Sequence, residues 1–375
     1  MIYVCEPVLD GNEAKYVMDC LNANWISSNG DYNRRFEEIM CNYLDMPFAV
    51  SASSCTAALH MALVALGIGP GDEVIIPDFT LIVSANTVIL AGARPVLADV
   101  DPQTWCIDPV SIERAITPHT RAIMVVHMYG HPCNMPAIMD IACKYDLKVI
   151  EDCAEAQGAE INGKKAGTFG DINCFSFYGN KIITTGEGGM ALCRDPVLAQ
   201  RLGLLRNQAF QEPRFVHTLV GFNYRMTNLQ AAIGLAQMEK VEEKVARKRW
   251  IAQAYNERLN CRAELILPFE APGSKNVYWM YGVLLNGDYQ TKRKDRVMNM
   301  LHENGIETRS FFCPMHLQPV FQQKSPNYFQ QYDQNDFPVS SSLWERGFYL
   351  PSGLGMTCSQ IDEVCNKLLD CVSKV

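Results

Sequence analysis

Between residues 50 and 200, apolar runs of strand length alternate with helical patterns, and this alternation limits the possible folds more than any other feature of the chain. The runs are EVIIP (73–77), PVLADV (95–100), RAIMVV (121–126), KVIED (148–152) and CFSF (174–177). They are rich in Ile and Val and scarcely alternate between apolar and polar residues. A strand with one wet face would alternate, so these read as strands covered on both faces, as in a parallel sheet. Between them, TAALHMALVAL (56–66), DPVSIERAI (108–116) and NMPAIMDIACKY (134–145) read as helices. The pattern predicts a three-layer α/β domain with a mostly parallel sheet and right-handed crossovers. A chain of 375 residues exceeds one such unit,. We expect a large domain over 1–240 and a small C-terminal α+β domain over 241–375 that caps the cleft. The stretch 227–259 contains the helix leaving the first domain. VYWMYGVLL (277–285) reads as a strand, and RKDRVMNMLHENG (293–305) and SQIDEVCNKLLDCV (359–372) read as helices. The polar segment 322–337 reads as a surface loop.

Charge and cysteine usage remove several function classes. The net charge is −8 with no basic run, so the electrostatic footprint of a nucleic-acid binder is missing,. The apolar runs stop well short of a membrane span. The N-terminus, MIYVCEPVLDGNEAKY, lacks the build of a signal peptide,. The 15 cysteines are an odd number with no CxxC pair, which suits reduced thiols in a cytoplasmic protein rather than disulfides or a metal site,.

Ligands of such sheets bind beyond the carboxyl ends of the strands. EVIIP runs into Asp78, Phe79 and Thr80; Val126 is followed by His127 and MYG; KVIED ends in Asp152; CFSFYGN leads to Lys181 and the turn GEGG. Taken singly, an Asp after a strand is an ordinary helix N-cap and a Lys there an ordinary loop residue. Together they suit pyridoxal phosphate. That cofactor needs a lysine amine to form an imine with its aldehyde and a carboxylate at its pyridine nitrogen. It also needs a phosphate cup of helix N-terminal N–H groups and hydroxyls. Lys181 and Asp152 fit the first two needs. SASSCTAALH (51–60) runs small and hydroxyl residues straight into a helix and fits the third, and Ser176 can add a hydroxyl.

The segments EDCAEA, GTFGDINCFSFYGNKIITTGEGGMAL and GFNYRMTNLQAAIGLAQ (221–237) together resemble the nucleotide-sugar aminotransferases of the DegT/DnrJ/EryC1/StrS family. The likeness extends from VLDGNEAKYV to YLPSGLG (349–355). It implies an aspartate-aminotransferase-like (type I) fold and pyridoxal 5'-phosphate held on Lys181, with pyridoxamine phosphate as the intermediate form. It implies that Asp152 pairs with the pyridine nitrogen and that Glu155 lies near the ring hydroxyl. Ser54, Cys55, Thr56 and Ser176 would hold the phosphate, and Leu81 would cover the ring. Asn223 would reach the phosphate of the neighbouring subunit's cofactor, which implies a homodimer with shared active sites; a plain turn residue is the alternative. His127, Arg225 and His316 would lie on the substrate side; for both histidines a buried, hydrogen-bonded ring is the alternative.

Three positions depart from the family's pattern. SSCT stands where the turn usually reads Ser-Asn-Gly-Thr, so Cys55 either has φ below zero or remodels the cup. PDFTL has Leu81, and FFCP has Cys313, where aromatics are expected. The implied reaction moves an amino group from L-glutamate to a nucleotide-linked 4-keto-6-deoxy sugar. The run from His127 to Met190 is similar to members that convert GDP-4-keto-6-deoxy-D-mannose to GDP-perosamine. A UDP- or dTDP-linked keto sugar is the alternative substrate. A pyridoxamine-dependent sugar dehydratase on the same fold is a further reading. Lys181 argues against it, because relatives of that kind replace the lysine. A non-catalytic protein with a retained fold is disfavoured by the joint presence of Lys181, Asp152 and Ser176.

Overall fold

All five apolar runs form strands. The computed structural model describes residues 1–287, 291–322, 332, 333 and 335–375. In chain order the strands are β1 (Phe48–Ala52), β2 (Glu73–Pro77), β3 (Arg94–Ala98), β4 (Thr120–Val126), β5 (Lys148–Asp152), β6 (Glu160–Ile161), β7 (Lys164–Lys165), β8 (Ile172–Ser176) and β9 (Gly189–Cys193). They continue with β10 (Leu265–Ile266), β11 (Ser274–Lys275), β12 (Tyr281–Leu285), β13 (Arg309–Ser310) and β14 (Gly347–Leu350). Seven build one sheet in the order β1-β9-β8-β5-β4-β2-β3. Within it β9 runs antiparallel to both neighbours, and the remaining pairs are parallel. The fold is therefore α/β with a mostly parallel central sheet.

The lack of alternation has the expected cause. Ile75, Ile123, Val125 and Val149 point into one core, and Val74, Ile76, Ala122, Met124 and Ile150 into the other. Helices α1 (Glu13–Asn22) and α2 (Asp31–Leu44) precede the sheet, and helix α3 (Cys55–Ala65) is apolar nearly all round and almost wholly buried, as a helix sandwiched between neighbours must be. The sequence pattern did not single out β1 or β9. The first is short and ends at a run of serines, and the second opens on glycine; both are weak strand signals.

A second sheet has the order β10-β12-β14-β13 and is antiparallel throughout. Residues 2–4 bond to segments that flank its strands. The Ile2 N–H donates to Gly305 O (2.8 Å), and Val4 O accepts from the Ser352 N–H (2.8 Å). The stretch 227–259 is two helices, Asn228–Met238 and Val241–Leu259, because Lys240 leaves helical geometry at φ −119° and ψ 17°. Of the loop expected over 322–337, residues 323–331 and 334 lie outside the described residues. Tyr332 and Phe337 turn inward: the Tyr332 hydroxyl accepts from the Leu97 N–H (2.9 Å), and Phe337 packs 5.1 Å from the His316 ring. Among the described residues no helix is long and apolar enough to cross a membrane.

Candidate active site

Strands β5 and β8 are adjacent and parallel, with Asp152 opposite Cys174. Their carboxyl ends therefore open on the same cleft, one carrying Asp152 and the other leading through Phe177–Asn180 to Lys181. The lysine is nearly buried. Its Nζ lies 3.7 Å from Glu155 Oε1 and 3.5 Å above the centroid of the Trp279 ring. Trp279 comes from the distant segment before β12 and is pinned by its Nε1–H, which donates to Asn180 O (2.8 Å). A cation over the face of an indole, screened from water, is held by the ring quadrupole. The sequence held no signal for this contact beyond a lone Trp in an apolar run.

Glu155 is fully buried. Its Oε2 accepts the Tyr129 N–H at 2.7 Å. Burial pushes its carboxyl up to about 7, against the pull of the Lys181 charge,. Tyr129 sits at φ 51° and Gly130 at φ 103°. A Cβ on Gly130 would lie 2.7 Å from Trp279 N and 2.8 Å from Tyr278 N. Glycine there lets the turn after β4 press against the segment that carries Trp279. Tyr129 then joins Phe79, Trp105, Phe311 and Phe312 in an aromatic wall, its centroid 4.9 Å from that of Phe311.

Asp152 is enclosed, and burial pushes its carboxyl pKa up. Its Oδ1 accepts the Ala154 N–H at 2.9 Å and the Cys55 thiol at 3.8 Å. Its Oδ2 has no hydrogen-bond partner among the described residues. Ser176, on the adjacent strand β8, and Ala52, on β1, both lie opposite Gly189 of β9, so Ser176 and the turn Ser53–Thr56 share one edge of the cleft. Ser54 caps α3 by accepting the Ala57 N–H (3.1 Å), and the Ser176 hydroxyl oxygen accepts the Tyr178 N–H (3.3 Å). Among the described residues neither hydroxyl hydrogen has an acceptor. The N–H groups of Cys55 and Thr56 have no acceptor among the described residues, as befits the first turn of a helix. A Cβ on Gly189 would fall 2.3 Å from Ser54 C, so only glycine lets β9 pass beneath this turn. Cys55 is the first residue of α3 and is absent from the residues with positive φ, so the helix begins there without strain.

The histidines expected on the substrate side have both ring nitrogens engaged. His127 is completely buried, with Nε2 3.0 Å from Glu151 Oε2 and Nδ1 accepting the Cys133 N–H (3.0 Å). Neither ring nitrogen is left for a ligand. His127, Glu151 and Cys153 bring possible metal ligands within 4.8 Å of one another. However, Glu151 already accepts the N–H groups of Gly167, Phe169 and Gly170 besides His127, so the group is a saturated hydrogen-bond network. His316 bonds through Nδ1 to Asp78 Oδ2 (2.7 Å) and through Nε2 to Ser341 Oγ (3.2 Å). It therefore ties the C-terminal part of the chain to the lip of β2. Leu81 is half-exposed just before helix Val83–Leu90, and Cys313 is half-buried with its thiol 3.8 Å from Pro314 O. Asn223 is exposed and accepts from Arg225 Nε (2.9 Å), while Arg225 Nη1 donates to Asn207 (3.1 Å). Neither contacts Lys181 or Asp152 of its own chain.

Over residues 7–369 the sequence matches the DegT/DnrJ/EryC1/StrS aminotransferase family. The chain belongs to this family. It is 45% identical to GDP-perosamine synthase of Caulobacter vibrioides, covering 97% of this chain and 96% of that one. It is 41% identical to GDP-perosamine synthase of Vibrio cholerae, covering 98% of both. The aminotransferase TlmJ from Streptoalloteichus hindustanus superposes with a TM-score of 0.92 at 28% identity, over 100% of this chain and 99% of that one. This chain is thus a sugar aminotransferase, and pyridoxal phosphate is the cofactor of its family.

The cleft of this aminotransferase fits that cofactor. It offers a nearly buried amine and, among the described residues, a carboxylate oxygen without a partner and free N–H and hydroxyl donors at a helix N-terminus, where an anion is favoured.

Proposed function

We propose that this aminotransferase transfers the amino group of L-glutamate to GDP-4-keto-6-deoxy-D-mannose, giving GDP-perosamine. The observation that carries the substrate is the full-length identity of 41–45% to GDP-perosamine synthases. In this reading Asp152 Oδ2 takes the ring N–H of pyridoxal phosphate, and Ser54, Ser176 and the N–H groups of Cys55 and Thr56 hold its phosphate. Lys181 is the residue that binds it. When bound, the cofactor supplies an aldehyde that takes up an amino group and a ring that spreads the electron pair left at the donor's α-carbon.

The remaining work falls to the chain's own groups. Lys181 Nζ, once free, takes the α-proton of glutamate and later returns a proton to the new amine carbon of the sugar. Glu155 beside it, with a carboxyl near neutrality, stabilises the charged amine without locking it in that state. Trp279 covers Lys181, and the aromatic wall around Tyr129 keeps water from the reacting atoms,.

The active unit is a homodimer in which Asn223 serves the neighbour's phosphate. Two features support this: Asn223 is exposed and bonded through its side chain to the neighbouring Arg225, and the loop before it shows Phe215 and Val220 70% and 84% exposed,. The same reading divides the chain into a cofactor domain, 1–240, and a capping domain, 241–375, working in the cytoplasm.

The test uses purified protein with glutamate and the GDP- and UDP-linked 4-keto-6-deoxy sugars in parallel, with product masses measured. A buried site built to bond guanine leaves polar groups unpaired with uracil, so only the GDP sugar should be aminated efficiently. Preference for the UDP sugar would overturn the substrate and favour the second reading. A relative named UDP-N-acetyl-3-dehydro-alpha-D-glucosamine 3-aminotransferase from Acidithiobacillus ferrooxidans, 38% identical over 86% of this chain, supports that alternative.

A further inference from the structure

The side chain of Cys55 has no part in the reaction above, yet it is enclosed and touches the central carboxylate of the cleft. Its thiol donates to Asp152 Oδ1 at 3.8 Å, and the Ala154 N–H donates to the same oxygen at 2.9 Å. Both donors therefore lie on Oδ1. Burial, reinforced by the neighbouring Asp152 charge, drives the thiol pKa well above its ordinary value. The group thus stays S–H, a donor and not a thiolate nucleophile.

Its place is set by backbone on two sides. The Ser54 cap starts α3 at Cys55, and β9 passes so close that a Cβ on Gly189 would lie 2.4 Å from Cys55 N. The helix start and the close strand together set where the thiol meets Asp152.

We propose that Cys55 is a positioning residue for Asp152: with the Ala154 N–H it holds Oδ1 and so presents Oδ2 to the ring nitrogen of pyridoxal phosphate. The proposal rests on the pyridoxal phosphate reading of the cleft. A carboxylate pinned at one oxygen does not rotate away from its partner. The hold on the cofactor is then stronger than Ala154 alone would give.

The apoproteins of the wild type, Cys55→Ala, Asp152→Asn and the double variant are titrated with pyridoxal phosphate, read by visible absorbance. Cys55→Ala should weaken binding about three- to tenfold, the scale of one hydrogen bond. It should also move the pH midpoint of the bound cofactor's absorbance. In the Asp152→Asn background the same substitution should cost little, because the group it positions is gone. Cys55→Ser keeps a donor of shorter reach and should fall between wild type and Ala; it carries the same cycle if the Ala variant does not fold. Wild-type affinity in Cys55→Ala, or an undiminished loss in the Asp152→Asn background, would overturn the role of Cys55 and leave the cofactor reading intact. Wild-type apoprotein that takes up no pyridoxal phosphate would instead sink the cofactor reading.

Discussion

Replacing Glu155 by Gln should remove a pH dependence from the folding stability of the apoprotein. Glu155 is fully buried, and burial raises its carboxyl from 4.5 to about 7. Lys181 Nζ at 3.7 Å and the Tyr129 N–H at 2.7 Å oppose that rise without cancelling it. In the unfolded chain the same carboxyl titrates near 4.5, so the folded protein binds the extra proton across that interval. The stability contributed by Glu155 is complete below about pH 4.5 and is lost as pH rises through 7. A shift of that size is worth about 3 kcal/mol over the full interval, at ~1.4 kcal/mol per pKa unit. Gln is close in shape and keeps an oxygen for the Tyr129 N–H. Lys181, Asp152, Tyr129 and Tyr349, the charged and titratable groups acting on Glu155, remain in both proteins and largely cancel in the difference. Urea unfolding of both apoproteins at equal concentration, from about pH 5 to about pH 8.5, measures it. The wild type should lose about 2–3 kcal/mol relative to Glu155→Gln as pH rises across that range. Parallel curves, or a wild type that gains on the variant with rising pH, would refute the burial argument.

Lys181→Ala should abolish turnover while the phosphate cup still binds pyridoxal phosphate noncovalently; borohydride should fix the cofactor to the wild type alone, and peptide mass analysis should find it on Lys181. Gly189→Ala drives a Cβ to within 2.3 Å of Ser54 backbone. It should cost about 2 kcal/mol or more of stability and weaken cofactor uptake, so an unchanged melting temperature and affinity would contradict the close approach. Mixing Lys181→Ala with Asn223→Ala protein should restore part of the activity lost in each, since one site of a mixed dimer has both residues. With subunit exchange demonstrated, no recovery would place both residues in one subunit's site.

The periodicity of residues 73–177 was enough to determine a parallel sheet buried on both faces, because burial and backbone pitch are written locally in the side-chain pattern. It also located Asp152 and Lys181 at strand ends, and parallel neighbours must open their carboxyl ends on one cleft. Resemblance, not pattern, pointed to Glu155. What each side chain touches was decided by tertiary structure. Trp279 reaches Lys181 across nearly a hundred residues, and only glycine at 130 allows that approach. His127 and His316 follow strands or loops as ligand residues do, yet packing brings Glu151 and Asp78 against them and occupies their nitrogens. Cys55 reads as an oddity in a phosphate turn until the sheet sets Asp152 beside its thiol. A hydrogen-bond partner far along the chain leaves no periodic trace, because it depends on which surfaces the packed layers bring together.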